Sequence, residues 1–291
     1  MVLCTCLLAL HLKQKKHLTK ITISIAGCGW YGLNLAKELV KNGYIIKGST
    51  TTAEKLTQLT DAGIEPYLID FSDTSSIKPE FFECNILLIA IPPKTRSGND
   101  EGYLSSIDNL IYRAKKQSVK QVILISSTGV YADVNGEVNE QSPTNPDALG
   151  GKIMLQAEDL LKNETAFSTT IIRFAGLIGP KRHPGRFFGG KKDIPNGNTP
   201  VNLIHLTDCI GISCAIINQK AFGYTYNAGT PDHPTKNEFY TKAALSMGLP
   251  QPEFLDEKKD WKIVSSLYVD QVLNYKYRVS SLMQWLDTPV H

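Results

Sequence analysis

The chain has 291 residues and a formal net charge of +3, with 42% hydrophobic and 20% charged residues. This composition excludes collagen, a coiled coil and a disordered chain, and the length suits one large α/β unit or two domains. Four lysines lie in the first twenty residues, which contain no acidic residue, so the rest of the chain is close to neutral. A nucleic-acid-binding protein normally carries a basic stripe, so we expect no nucleic-acid partner.

The first nineteen residues are predicted to lie outside the fold. The apolar run at 2–10 is shorter than the ~20 residues that span a bilayer. Lysines follow this run rather than precede it, which is not typical of a signal peptide. The six cysteines show neither CxxC nor zinc-ligand spacing. We therefore expect a cytoplasmic protein with no metal and no membrane partner; a lipid-touching anchor at 2–10, as in a membrane-associated assembly factor, is the weaker alternative.

Apolar, β-rich runs alternate with helical patterns through the first 175 residues. Strands are predicted over residues 21–26, 44–48, 66–69, 86–91, 122–126 and 169–174, and helices over 31–42, 103–117 and 147–163. Strands that are apolar without alternation are buried on both faces, as in a parallel sheet between two helix layers. The pattern predicts an α/β fold, a Rossmann-type doubly wound parallel sheet over residues 20–178.

The pattern changes after residue 178. Glycine, proline and basic residues dominate the segment 179–200, and shorter elements follow it. These are predicted at 202–206, from 208 onward as a helix, at 224–228 as a strand and at 237–247 as a helix. We expect residues 179–291 to form a smaller C-terminal α+β substrate domain, interleaved with the end of the Rossmann sheet.

A glycine-rich turn joins the first predicted strand to the first helix. Gly27 is expected to make the tight turn, Gly29 to let a pyrophosphate approach the backbone, and Gly32 to let the helix pack on the strand. The helix N-terminus then faces the phosphates. Strand, turn, helix and second strand occur in order within about thirty residues, which favours a dinucleotide site over a glycine-rich turn without a ligand. The expected cofactor contacts of this turn are Gly27, Gly29, Trp30, Tyr31 and Gly32.

The residues after the second predicted strand favour NADP over NAD. An NAD site places an acid there, whereas this chain has Thr50 and Thr51, with Lys55 one turn later. Hydroxyls and an ammonium group suit a 2′-phosphate. Asp70, at the end of the third strand, is expected to reach the adenine edge, with a helix cap or loop aspartate as the alternative. Further cofactor contacts are expected from Phe71, Ala90 and Pro92.

Beyond this turn, four segments resemble the extended type of short-chain dehydrogenases/reductases, the NAD-dependent epimerase/dehydratase family, over residues 21 to 287. They are Ile-Ser-Ser-Thr-Gly-Val-Tyr at 125–131, Arg-Phe-Ala-Gly-Leu-Ile-Gly-Pro at 173–180, Val-Asn-Leu-Ile-His-Leu-Thr-Asp at 201–208 and Tyr-Asn-Ala-Gly at 226–229. The resemblance implies that Ser127 is the catalytic serine, and that Lys152 is the lysine of the Tyr-x-x-x-Lys pair, which also contacts the cofactor. Ser126 is expected to contact the cofactor as well.

Ala148 stands at the tyrosine position, which makes the chain similar to the YeeZ-like group of atypical members. The family's lysine lowers the pKa of the tyrosine so that the phenol can transfer a proton. Without that phenol, Tyr131 is the candidate acid, with a packing role as the alternative. His205 and Asp208 suggest a dyad, although a structural role with Asp208 capping the next helix fits their spacing better.

Basic residues cluster in the segment 179–192, which the resemblance places over the substrate cleft; we call it the substrate loop. Positive charge suits a phosphate or carboxylate. Arg182, His183 and Phe187 are therefore expected substrate contacts, with a solvated loop as the alternative. We expect an NAD(P)-dependent oxidoreductase or epimerase-like enzyme that acts on a small polar or anionic metabolite, with a homodimer as one possible assembly. The alternative is a cofactor-binding sensor or regulatory protein without turnover.

Overall fold

The computed structural model describes residues 21–93 and 100–288, so the predicted extension over residues 1–19 lies outside it. Seven parallel strands form the main sheet, in the order β10-β7-β5-β4-β1-β2-β3. These strands are β1 (Thr22–Ala26), β2 (Ile45–Thr50), β3 (Glu65–Leu68), β4 (Ile86–Ile89), β5 (Gln121–Ser127), β7 (Ser168–Phe174) and β10 (Thr225–Ala228). Two small parallel pairs join β6 (Gly136–Val138) to β11 (Lys262–Val264) and β8 (Gly176–Ile178) to β9 (Leu203–His205).

Helices connect the strands and cover both faces of the sheet. They are α1 (Trp30–Lys41), α2 (Lys55–Asp61), α3 (Asp100–Lys116), α4 (Leu149–Lys162), α5 (Gly185–Phe188), α6 (Leu206–Gln219), α7 (Lys236–Ser246), α8 (Tyr268–Gln271) and α9 (Leu282–Trp285). None of the helices in these described segments is long and apolar enough to cross a membrane.

Successive residues of β4 enter different halves of the core. Ile86 and Leu88 pack in a cluster with α1 and α6, whereas Leu87 and Ile89 pack in a cluster with α3 and α4. Side chains alternate between the two faces of a strand, so an all-apolar strand needs a helix layer on each face. The predicted doubly wound Rossmann-type fold is confirmed.

Residues after 178 contribute to both parts of the molecule. Helix α6 packs against α1, and β10 pairs with β7 at the edge of the main sheet. A separate small cluster joins β8, β9, α7 and α9 through Ile178, Phe239 and Leu282. The chain is interleaved at this point, and the division into domains at residue 178 remains a prediction.

A buried carboxylate holds the C-terminal tail. Asp208 is fully buried, and it accepts hydrogen bonds from the Tyr275 hydroxyl (2.8 Å), the Arg278 N–H (2.7 Å) and the Val279 N–H (3.0 Å). The expected capping of α6 by Asp208 is wrong, because His205 is the cap and its Nδ1 accepts from the Thr207 N–H. Asp208 instead anchors the segment that leads to α9.

Candidate cofactor and substrate site

The turn between β1 and α1 lies where β1 ends. Gly27 has φ +100°, a conformation that favours glycine, and a Cβ there would lie 3.1 Å from the Ala90 carbonyl group. A Cβ on Gly32 would collide with the carbonyl oxygen of Gly27. Gly29 differs, because its φ is −79° and no described atom lies within 4 Å of an added Cβ. The N-terminus of α1 is therefore open beside Gly29, as an anion would require.

Hydrogen bonds donated to β2 fix this turn. The Gly27 N–H donates to Ser49 Oγ (2.9 Å), and the Cys28 N–H donates to the Ser49 carbonyl oxygen (2.8 Å). Burial raises the pKa of the Cys28 thiol to about 12, although the Ser49 backbone partly opposes this shift. The thiol therefore stays protonated near neutral pH and forms part of the wall rather than a nucleophile.

A cleft of ≈ 220 Å³ opens beside the glycine turn. It runs along the carboxyl ends of β1, β2 and β3 to the start of α3, which is where doubly wound sheets bind ligands. Its lining residues are Gly27, Cys28, Gly29, Ser49, Thr50, Thr51, Thr52, Lys55, Ile69, Asp70, Phe71, Ser72, Ile91, Pro92, Gly102, Tyr103 and Ser106. Gly102 and Ser106 were not foreseen, because only the sheet order brings α3 to this cleft.

The part of the cleft that follows β2 combines hydroxyls with one cation. Thr50 is nearly buried, and its Oγ1 accepts from the Thr52 N–H (3.1 Å), whereas Thr51 and Lys55 are exposed. Asp70 Oδ1 accepts from both the N–H and the hydroxyl of Ser72. Among the residues described in the structure, Asp70 is the one acid that lines the cleft.

Three predicted cofactor contacts have side chains directed elsewhere. The Tyr31 hydroxyl pairs with Ser213 Oγ (2.7 Å) inside the core, because Tyr31 lies on the face of α1 that packs on α6. Ser126 is buried and donates to Glu158 Oε1 (2.6 Å), on the opposite face of β5 from its neighbour Ser127. Trp30 does not line the cleft and instead reaches the substrate loop. Contact of Tyr31 and Ser126 with the cofactor remains a prediction, and their buried side chains leave only their backbone groups for it. Phe71 lines the cleft, but its ring packs against Phe81 and Phe82.

Ser127 and Lys152 lie on two turns that touch. Ser127 Oγ accepts from the Gly129 N–H (3.0 Å), and a Cβ on Gly151 would collide with the Gly129 carbonyl oxygen. Ala148 is the N-cap of α4, and its carbonyl oxygen accepts from the Lys152 N–H (3.1 Å). The Lys152 side chain is exposed and has no hydrogen-bond partner in the described part of the chain. Gly151 is a residue that the sequence analysis missed; it lets α4 approach Ser127 closely.

Tyr131 is not available as an acid. Its side chain is 1% exposed, donates to Asn227 Oδ1 (2.9 Å) and accepts from Arg173 Nη1 (2.6 Å). Burial raises the pKa of the phenol, although the Arg173 charge partly opposes this effect. A buried phenol with both hydrogen-bonding directions used cannot reach a substrate, so the prediction of Tyr131 as the replacement acid is wrong. The packing alternative is the one that the structure supports.

The substrate loop begins with a tight turn above α1. The Trp30 indole N–H donates to the Pro180 carbonyl oxygen (2.8 Å), and the Arg182 guanidinium lies over the Trp30 ring at 5.4 Å. Phe187 is 42% exposed beside Tyr240. Substrate contact by Arg182, His183 and Phe187 remains a prediction.

Two imidazoles flank the indole of Trp285. The rings of His183 and His205 lie 5.5 and 5.2 Å from it. Each Nδ1 accepts a backbone N–H, from Gly185 for His183 and from Thr207 for His205, so each neutral ring carries its proton on Nε2. Burial lowers the pKa of both residues. No group of three or more His, Cys, Asp or Glu residues within 21–93 and 100–288 could hold a metal ion.

The parallel sheet, the glycine turn and the cleft beside it define a dinucleotide-binding protein of the Rossmann class. Residues 27–204 match the model of the NAD(P)H-binding family. The chain is 35% identical over 267 residues to protein YeeZ of Escherichia coli K12, covering 88% of this chain and 95% of YeeZ. The chain therefore belongs to the NAD(P)H-binding family, as the glycine-rich turn predicts.

Solved structures share the fold at lower identity. A conserved protein of unknown function from Silicibacter pomeroyi has a TM-score of 0.77 at 23% identity, covering 92% of this chain and 97% of that one. MoeE5 in complex with UDP-glucose and NAD has a TM-score of 0.76 at 18% identity, covering 93% and 97%. The UDP-glucose 4-epimerase of Thermotoga maritima, with UDP-glucose, has a TM-score of 0.74 at 16% identity, covering 92% and 98%.

Proposed function

We propose that this chain binds NADP in preference to NAD and uses it as an oxidoreductase or epimerase-like enzyme on a small polar or anionic metabolite. The observation that carries the proposal is the cleft at the glycine turn, where Thr50, Thr51 and Lys55 follow β2 and the one acid among the described lining residues, Asp70, follows β3 instead. An acid at this place would accept a hydrogen bond from the ribose 2′-hydroxyl but would repel a 2′-phosphate. The cation favours the phosphate instead.

The nicotinamide would lie at the other end of the cofactor, where Ser127 and Lys152 sit on touching turns. A bound nicotinamide supplies hydride transfer. Ser127 keeps its hydroxyl proton as a donor, and Lys152 offers an exposed ammonium group to ribose hydroxyls or to the substrate. Because Ala148 stands at the tyrosine position, no phenol is available there, and water or a group of the substrate would supply the proton that the tyrosine otherwise gives.

The substrate class rests on the substrate loop, in which Arg182 is exposed. A guanidinium binds carboxylates and phosphates through paired N–H donors. Two of the structurally similar proteins hold UDP-glucose, which carries phosphates, and this supports an anionic ligand here. A second candidate function is a cofactor-binding sensor without turnover, which the absence of a phenol at position 148 and the burial of Tyr131 both favour.

Parallel calorimetric titrations with NADPH and NADH test the cofactor. We expect the unaltered protein to bind NADPH more tightly than NADH. Lys55→Gln should weaken the binding of NADPH by roughly tenfold and change the binding of NADH little, since a hydrogen bond to a charged group contributes about 1.5 kcal/mol or more. Thr50→Asp should reverse the preference, because a carboxylate would accept a hydrogen bond from the ribose 2′-hydroxyl and repel a 2′-phosphate. The local turn should be kept, because an aspartate can still accept a hydrogen bond from the Thr52 N–H. Tighter binding of NADH by the unaltered protein would refute the NADP assignment. Turnover on a panel of anionic carbonyl compounds and sugar nucleotides separates the enzyme from the sensor.

A further inference from the structure

The first residue of α1 contacts two ligand-facing parts of the molecule at once. Trp30 follows Gly29, the glycine that is open toward an approaching pyrophosphate. Its indole N–H donates to the Pro180 carbonyl oxygen (2.8 Å), and its ring lies under the Arg182 guanidinium at 5.4 Å. One side chain thus joins the expected phosphate site to the substrate loop.

The turn held by Trp30 contains two residues with positive φ, of which only Lys181 is not a glycine. Gly179 has φ +145° and Lys181 has φ +61°, and the turn is closed by a hydrogen bond from the Arg182 N–H to the Gly179 carbonyl oxygen (2.9 Å). A non-glycine residue in the left-handed region needs surrounding contacts to keep it there. The two contacts of Trp30 supply such support from outside the loop.

Arg182 keeps its hydrogen-bonding capacity in this arrangement. The carbon of its guanidinium lies over the indole, 5.4 Å from the ring centre, and no ion pair joins it to a carboxylate in the part of the chain that the structure describes. An indole offers no hydrogen-bond acceptor, so this contact leaves the N–H donors of the guanidinium available to an anion. The arrangement fixes where that donor group sits relative to α1.

We infer that Trp30 is a positioning residue that couples the cofactor site to the substrate loop: a dinucleotide that orders the first turn of α1 also orders Arg182. The inference rests on the proposed binding of a dinucleotide at the glycine turn. Coupling of this kind is reciprocal, so an ordered loop also favours the cofactor. The chemical class of the second ligand is an anion, bound by Arg182.

Limited proteolysis with trypsin reports on the loop directly, because cleavage after Lys181 requires the turn to open. The test compares the full chain with Trp30→Leu, with and without saturating NADPH. Trp261→Leu is the matched control, since Trp261 is also partly buried and stacked by a lysine (Lys258 Nζ at 4.2 Å) but lies outside the loop.

We expect Trp30→Leu to speed cleavage after Lys181 by about tenfold without NADPH, while Trp261→Leu changes it little. NADPH should slow cleavage in the unaltered chain and in Trp261→Leu, but not in Trp30→Leu. Trp30→Phe keeps an aromatic ring beside Arg182, and Arg182→Gln keeps the hydrogen bond from the indole to Pro180. Each should therefore speed cleavage after Lys181 by less than Trp30→Leu does. These two variants carry the test if Trp30→Leu fails to fold.

Two results would overturn the inference. In the first, Trp30→Leu and Trp261→Leu are cleaved at the same rate without NADPH. In the second, calorimetry shows that NADPH binds the unaltered chain, yet NADPH leaves the rate of cleavage after Lys181 unchanged. This result would refute the coupling and leave the proposed cofactor in place. Failure of NADPH and NADH to bind at all would instead overturn the proposed function, and the coupling with it, whatever the cleavage rates without cofactor.

Discussion

Gly29 and Gly32 belong to the same motif but have different surroundings. Gly29 has ordinary φ and open space around its Cβ position, whereas a Cβ on Gly32 would collide with the Gly27 carbonyl oxygen. A substitution at Gly29 is therefore compatible with the fold, and one at Gly32 is not. The two glycines allow cofactor binding to be separated from stability.

We expect Gly29→Val to lower NADPH affinity at least tenfold, about 1.4 kcal/mol, because its side chain would occupy the approach of the pyrophosphate. The thermal midpoint should change little. Gly32→Val, the control, should lose about 1–3 kcal/mol or fail to fold, because α1 is forced away from the turn. Calorimetry and thermal denaturation measure the two effects. Unchanged NADPH affinity in Gly29→Val would contradict the cofactor assignment.

Which of the two serines, Ser126 or Ser127, faces the core cannot be read from the sequence near them. Two adjacent serines end β5, and successive side chains of a strand point to opposite faces. One of them must enter the core, and nothing local distinguishes them. The partner that decides the matter, Glu158, lies 32 residues away on α4. Tyr31 is different, because its spacing from Leu35 on the buried face of α1 could have placed it in the core.

Among the elements, the long apolar ones were predictable and the short ones were not. The strands of the main sheet and helices α1, α3 and α4 follow from apolar runs and helical spacing. Strands β6 and β11 have three residues each and pair Gly136 with Lys262, so neither length nor periodicity reveals them. Gly102 and Ser106 of α3 were missed as lining residues of the cleft for a related reason. Their place there depends on the order of the strands in the sheet.

The start of α4 gives a prediction about catalysis. Ala148 is exposed and has φ −81° and ψ 145°, which a tyrosine adopts without strain. We expect Ala148→Tyr to raise NADPH-dependent reduction of simple carbonyl compounds by tenfold or more over Ala148→Phe, since general acid catalysis contributes about 10²–10⁴-fold. Steady-state assays of the two variants measure this. Fast reduction by the unaltered protein would show that another acid is present.

The contact between α4 and β7 includes a buried ion pair. Arg173 donates to both oxygens of Glu158, at 2.9 and 2.6 Å, and both side chains are almost fully buried. Burial alone would raise the pKa of Glu158, but the hydrogen bonds and charge of Arg173 outweigh it and lower the pKa. The stabilisation is therefore present above the ordinary glutamate pKa and is lost as the pH falls through the lowered value.

We expect Glu158→Gln to lower the free energy of unfolding by about 3 kcal/mol at neutral pH, because it leaves Arg173 buried without a counter-charge. The difference in the free energy of unfolding between this variant and the unaltered protein should shrink at pH values below the usual pKa range of glutamate. Glu164→Gln is the control, since its partner Lys115 is on the surface and such pairs contribute at most about 1 kcal/mol. Urea denaturation across acidic and neutral pH tests both, and equal losses in the two variants would contradict the argument.

At the scale of the whole molecule, the described core is built without the first residues of the chain. Strand β1 lies between β2 and β4 in the interior of the sheet and begins at Thr22, whose N–H donates to Asn85 Oδ1. We expect deletion of residues 1–18 to change the free energy of unfolding by less than about 1 kcal/mol and to leave NADPH binding intact. Urea denaturation and calorimetry of the shortened chain check this. A larger loss would show that this segment contributes to the core.

The anchored C-terminal tail has a practical consequence for handling the protein. Parallel strands place their amino ends at the edge opposite the glycine turn, and Thr22 is at that edge. Helix α9 lies elsewhere, because its Trp285 contacts His183 in the substrate loop and the neighbouring His205. A bulky label attached at the end of α9 would therefore lie close to the substrate loop, whereas one attached at Thr22 would lie at the opposite edge of the sheet.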